Sequence, residues 1–195
     1  MITKIGSDIL YHGSSRKVKT LKPKKDYGDS SATPVIYASP SKSFALAYGQ
    51  RWSDNDMNQS YESGKNPKMV LHEMKPGAFD SLYKGKKGYL YSVPGESFGA
   101  LPGMETELEV ASKSSVTPTA SESIPDMLKA LRSASDVTMH PFDIGTEETQ
   151  VAIKMLANRA RAMEDGGKEY SSWFLKKAPK EVKTVYMKEL GRSTK

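Results

Sequence analysis

The sequence predicts an α+β protein, a strand-rich body over residues 1–118 followed by a helical third over 119–195. Two observations carry this reading. Short β-branched and aromatic runs, punctuated by Gly, Pro, Ser and Asn, fill the first part. Beyond Pro118 they give way to apolar residues at helical spacing. With 195 residues, 37% of them hydrophobic and 27% charged, there is apolar material for one domain with a helical appendage.

"DILYHGSS" opens the body with a strand over Ile9–His12, which Gly13 is expected to break. "RKVKTLKPKK", residues 16–25, then holds six basic residues beside Pro23. It reads either as a solvated loop or as a rim that receives phosphates. "PVIYAS" is a β-branched and aromatic strand, and "SPSKSFALAYG" turns it into a helix. Ser39 is the expected N-cap, Pro40 the first helical residue and Gly49 the stop. Residues 51–68 are polar and Asn-rich, hence a long loop. "MVLHEM" and "GYLYSV" read as strands, the second preceded by the basic, aromatic stretch "YKGKKGYLY", a hairpin turn or a second phosphate-facing edge. "ETELEVAS" alternates strictly, which places Thr106, Leu108 and Val110 on one face and Glu105, Glu107 and Glu109 on the other.

In the helical third, "SIPDMLKALRSA" puts Met127, Leu128 and Leu131 on one stripe. "TEETQVAIKMLANRARAME" opens with acids in its first turn and aligns Val151, Met155, Leu156 and Arg159. Residues 168–191 supply one or two more helices around Trp173, interrupted at Pro179. The strands are expected to have ended by then. No internal repeat is present.

Composition narrows the chemistry. Without cysteine there are no disulfides and no thiolate nucleophiles or thiolate-zinc sites. No run of about 18 apolar residues occurs and the N-terminus has no signal-peptide pattern, so a cytoplasmic protein without a membrane partner is expected. A phosphate loop, G-x-G-x-x-G and H-E-x-x-H are all missing. His12, His72 and His140 are too far apart in sequence to form a ligand pair at helical spacing, so no metal is expected. The net charge of +6 suits a polyanionic partner.

Three pieces remain: "YHGS" on the first strand, "IYAS" leading to Tyr48, and the glutamates of "ETELEVAS". Singly, each has a structural explanation as a turn, a core aromatic or a solvated sheet face. In this order the trio resembles the histidine-tyrosine-glutamate class of ADP-ribosyltransferases, which includes poly(ADP-ribose) polymerases and diphtheria toxin. His12-Gly13-Ser14 matches the family's H-G-[ST]. Tyr37 matches the first tyrosine, and Tyr48, eleven positions on, the second. "ELEVASKSSV" resembles the glutamate strand and nominates Glu107. The likeness spans residues 9 to about 118. Ala45 stands where polymerase-type members carry a serine, with Ser43 two positions before it.

The resemblance implies an ADP-ribosyltransferase-like split β-sheet body, with residues 119–195 packed on it as a helical extension. It implies NAD as substrate, Tyr37 and Tyr48 flanking the nicotinamide ring, Gly13 meeting the carboxamide, and His12 bonding the adenosine ribose. Glu107 would hold the 2′-hydroxyl of the nicotinamide ribose and stabilise an oxocarbenium-like transition state. Glu105 would assist with the acceptor, and Glu109 is the alternative catalytic glutamate. The expected reaction is mono-ADP-ribosylation of a macromolecular acceptor, protein or nucleic acid. Water as acceptor would make the protein an NAD glycohydrolase. Two other readings share the fold. One is a non-catalytic relative that binds NAD, a nucleotide or a nucleic acid. The other is an RNA 2′-phosphotransferase-like enzyme, which three neighbouring carboxylates disfavour because they would repel a phosphate.

Overall fold

The computed structural model describes residues 9–25, 33–62, 67–100, 108–165 and 170–192. In chain order its elements are β1 (Ile9–Ser14), β2 (Ile36–Ala38), α1 (Lys42–Ala47), β3 (Met57–Glu62), β4 (Lys68–Glu73), α2 (Ala78–Tyr83) and β5 (Gly88–Pro94). There follow β6 (Val110–Ser112), β7 (Ala120–Ile124), α3 (Met127–Ser133), β8 (Val137–His140), α4 (Glu147–Asp165), α5 (Tyr170–Lys177) and α6 (Lys180–Glu189). This is a mixed α+β chain. It divides into two compact units, Met1–Gln50 with Gly85–Ser133 and Arg51–Lys84 with Ala134–Lys195.

The first unit holds an antiparallel sheet in the order β1-β5-β7 and a separate antiparallel pair, β2-β6. The two are joined where the backbone of Tyr11 exchanges hydrogen bonds of 2.8 and 2.9 Å with Ser39. Leu10, Ile36, Ala38, Tyr91, Val93, Phe98 and Val110 close a core beneath them. The expected break at Gly13 does not occur, since β1 continues to Ser14 with Gly13 opposite Leu90. Glycine is needed there for space. A Cβ at Gly13 would lie 1.8 Å from the carbonyl oxygen of Ala45 in α1, so α1 packs on β1 only because residue 13 lacks a side chain.

Ser39 does not cap α1. Its Oγ accepts from the backbone of Ser41 at 3.0 Å, and its own backbone is committed to Tyr11. The N-cap is Ser41, whose Oγ accepts from Phe44 N–H at 3.2 Å, and Pro40 precedes the helix. The long alternating strand expected at 105–112 is also revised: among the described residues only Val110–Ser112 is strand, and Leu108 lies in a turn. Nor do strands end at Pro118. β7 follows as an edge partner of β5. Its residues "ASES" are exposed and polar, so no apolar alternation announces it.

The second unit contains the sheet β3-β4-β8, with β8 parallel to β4. β3 overturns the loop expected at 51–68. Its strand pairing with β4 is anchored by buried Met57 and by buried Asn58, whose Nδ2 donates to the carbonyl of Ala152 at 2.9 Å. The buried carboxylate of Glu73, at the end of β4, gathers the N–H groups of Gly77, Phe79 and Phe142. α4 turns a different face inward from the one expected. Ala152, Ile153, Leu156, Ala157 and Ala160 are buried, whereas Val151 and Met155 are 44% and 37% exposed. Small alanines let α4 sit close to its neighbours, and large residues alone mispredict the face. α5 and α6 complete this core through Phe174, Val182 and Tyr186, with Pro179 standing immediately before α6 as expected. No helix among the described residues is long and apolar enough to cross a membrane.

Candidate functional site

The sequence-nominated residues of the first unit converge on two consecutive positions of β1. At the first, His12 Nδ1 donates to the carbonyl of Tyr37 in β2 at 2.7 Å. A carbonyl only accepts, so the proton sits on Nδ1. Burial lowers the pKa of His12 below the ordinary histidine value, the bond to Tyr37 opposes that shift, and the charge of Lys24 adds to it. The neutral ring therefore presents Nε2 as an acceptor. Tyr91, paired with His12 across β1 and β5, stands 6.4 Å away ring to ring. Its hydroxyl accepts from Val18 N–H at 2.7 Å and donates to the carbonyl of Arg16 at 3.1 Å. Lys24 and Tyr91 belong to the two basic stretches read as phosphate-facing alternatives, but the sequence does not nominate either for a place beside His12. The signal for Tyr91 was available in the alternation of Tyr89 and Tyr91, but only once the register with β1 is known.

At the second position, Gly13 lies under the last turn of α1. The Cβ it lacks would also approach the amide of Gly49 at 3.1 Å, and Gly49 directly follows Tyr48. Tyr48 is half-buried and forms the C-cap of α1, and the N–H of Gly49 after it donates to the carbonyl of Leu46 at 2.9 Å. Tyr37 is 38% exposed between buried Ile36 and Ala38, as alternation along β2 dictates. One tyrosine is thus tied to His12 and the other to the neighbour of Gly13. Ser14 is half-buried, and its Oγ accepts from Arg16 N–H at 3.2 Å, which turns the chain into the basic segment. Ala45 is buried in α1 with its carbonyl against Gly13.

Backbone parity gives Gly13 a second property. In an antiparallel pair, consecutive residues alternate between bonding the partner strand and pointing away from it. Tyr11 bonds Ser39, on the side away from β5, so Gly13, two residues on, directs its N–H and C=O to that same side. β2 pairs there only at Ser39, and no loop or side-chain hydrogen bond among the described residues reaches Gly13. The site therefore combines the backbone donor and acceptor of buried Gly13, an imidazole acceptor and two tyrosines.

The proposed catalytic residues Glu105 and Glu107 lie outside the described residues. Glu109 is half-buried immediately before β6, and the pairing of Tyr37 with Ala111 and of Ala38 with Val110 carries it toward Ser39. No group of three or more His, Asp or Glu among the described residues is arranged to hold a metal ion. No protein-family model, no curated protein and no solved structure matches the chain.

Proposed function

We propose that the first unit binds NAD and transfers its ADP-ribose to a macromolecular acceptor, releasing nicotinamide, on an ADP-ribosyltransferase-like split sheet. The observation that carries this reading is the N–H and C=O of Gly13, turned away from β5 toward the Ser39 side, with Tyr37 tied to the preceding residue and Tyr48 at the helix end packed above it. A primary carboxamide is the complement of such a pair, donating to the carbonyl and accepting from the N–H. A flat heteroaromatic ring bearing that carboxamide suits the two phenolic rings. His12 Nε2, held as an acceptor, takes a hydroxyl donor, as a ribose provides.

In this reading the bond between C1′ of the nicotinamide ribose and the ring nitrogen breaks, and its electron pair leaves with neutral nicotinamide. Positive charge spreads over C1′ and the ring oxygen. Glu107, bonded to the 2′-hydroxyl, stabilises that charge, and a lone pair of the acceptor then forms the new bond to C1′ as the acceptor loses a proton. Glu105 assists the acceptor. The short β6 beside β2 supports this reading, because the pairing of Ala38 with Val110 brings Glu109, just before β6, next to Ser39, which bonds Tyr11 of β1.

A second reading is favoured by one observation: the packing of Ala45 against Gly13 alone accounts for the glycine. On that reading the unit binds a nucleotide without turnover. Calorimetric titration with NAD and with nicotinamide tests the site itself. Binding that weakens by on the order of 1–3 kcal/mol in Tyr48→Ala supports the ring stack, and an unchanged affinity rejects it.

A further inference from the structure

Of the two basic stretches in the sequence, the segment from Arg16 to Lys24 is held far more firmly than a solvated loop requires. Val18 N–H and the Arg16 carbonyl are bound by the Tyr91 hydroxyl. Leu21 exchanges two backbone hydrogen bonds with Val116, and Lys24 two with Val35. Val18 packs against the core of the first unit and Leu21 is buried in it. With those apolar residues turned inward, Arg16, Lys17, Lys19, Lys22 and Lys24 are exposed, and none forms an ion pair among the described residues. Fixing a backbone beneath uncompensated cations creates a standing positive field and removes much of the ordering cost of binding.

The second basic stretch reaches the same end of the sheet. Ser14, which leads into Arg16, pairs with Tyr89 of β5, and Lys87 Nζ lies 5.4 Å above the Tyr89 ring. Tyr89 is half-buried, so part of its ring is accessible. An acidic peptide has use for the cations alone. A single strand of nucleic acid also has use for the ring, since its bases stack and its phosphates follow the charge.

We infer that Arg16, Lys17, Lys19, Lys22, Lys24 and Lys87 with Tyr89 form a contact surface for single-stranded nucleic acid. The surface borders His12 through Tyr91, whose hydroxyl secures the segment and whose ring faces the imidazole. If the transferase reading holds, the bound strand is the acceptor, and a nitrogen or oxygen of that strand takes C1′ and gives up its proton. The acceptor role rests on that reading, but the binding surface does not.

The test is fluorescence anisotropy of a short labelled single-stranded oligonucleotide, without NAD, across a series of salt concentrations, with poly-glutamate as competitor. Wild type should bind, and poly-glutamate of matched charge should compete poorly. The variant Lys17→Gln/Lys19→Gln/Lys22→Gln/Lys24→Gln should lose affinity at least about tenfold at low salt and flatten the slope of log K against log salt by about 2–3. Its thermal melting should match wild type, because the altered side chains are exposed. Tyr89→Leu should weaken binding while leaving the slope unchanged. Absence of oligonucleotide binding in wild type would overturn the inference, as would equal competition by poly-glutamate or unchanged binding in the folded lysine variant. NAD titration of the wild type, read separately, reports on the transferase reading alone.

Discussion

His12 and Tyr37, twenty-five residues apart, are joined by a 2.7 Å hydrogen bond from the imidazole Nδ1 to the backbone carbonyl. The bond spans β1 and β2, selects the tautomer and directs Nε2 away as an acceptor. His12→Ala should cost about 1 kcal/mol of stability, the typical net value of one hydrogen bond, and should also weaken NAD binding. Asn offers a donor near Nδ1 but nothing at Nε2. His12→Asn should therefore recover stability in urea denaturation without recovering affinity in calorimetry. Recovery of both would remove Nε2 from the ligand contact.

Gly13→Ala tests the meeting of β1 and α1. Its Cβ would lie 1.8 Å from the Ala45 carbonyl, a backbone atom that cannot rotate aside. We expect a loss of about 1–3 kcal/mol or more, as for other overpacked sites, read as a shift of the urea midpoint. A midpoint equal to wild type would show that α1 does not press on β1.

The second unit should be acid-sensitive. His72 of β4 is 5% exposed and stacks on His140 of β8 with ring centroids 5.0 Å apart. Burial, then the charge of His140, lowers the pKa of His72 to about 4, against a smaller opposing pull from Glu148. A folded-state pKa below the unfolded value means that the unfolded chain takes up the proton first. The stabilising contribution is therefore complete above about pH 6.5 and is lost as pH falls through about 4. Between pH 7 and pH 5 this linkage should cost about 2 kcal/mol. His72→Leu should abolish that part of the pH dependence in urea titrations, and an identical pH profile would refute the assignment.

Arg161 should matter more than Arg159. Arg161 Nη2 donates to the Glu189 carbonyl at the end of α6 at 2.5 Å, and Nη1 donates to Asn158 Oδ1 at 3.2 Å. Arg159 has a looser 3.6 Å ion pair with Asp54. Arg161→Ala should cost about 1 kcal/mol through a lost charged contact at a helix C-terminus, and Arg159→Ala at most about 0.5. Thermal melts that rank the two in the opposite order would contradict this.

These contacts also show what sequence can reveal here. The strand-to-helix unit at 36–47 was readable because alternation, a serine cap and apolar spacing are local properties, whereas only a resemblance groups His12, Tyr37 and Tyr48 as a set. The cap moved from Ser39 to Ser41 because Tyr11, distant in sequence, claims the Ser39 backbone. β3 was hidden because Asn58 is buried against a carbonyl of α4, which compensates a polar side chain that local pattern would place in solvent. That the backbone groups of Gly13 face away from β5 follows from the parity of two strand pairings, which no window of sequence contains.

Under the proposed function, Glu107 drives the cleavage of NAD. Its most direct measurement is nicotinamide release and label transfer from NAD carrying a labelled ADP-ribose moiety, by wild type, Glu107→Gln and Glu109→Gln, with NAD affinity measured alongside. The account predicts that Glu107→Gln keeps its NAD affinity but loses turnover by roughly 10²-fold or more, the scale of one preorganised electrostatic contact, while Glu109→Gln stays active. Loss at Glu109 instead would move the catalytic carboxylate two residues along the chain. Wild-type protein that binds NAD yet releases no nicotinamide with any protein, nucleic-acid or water acceptor would contradict the claim.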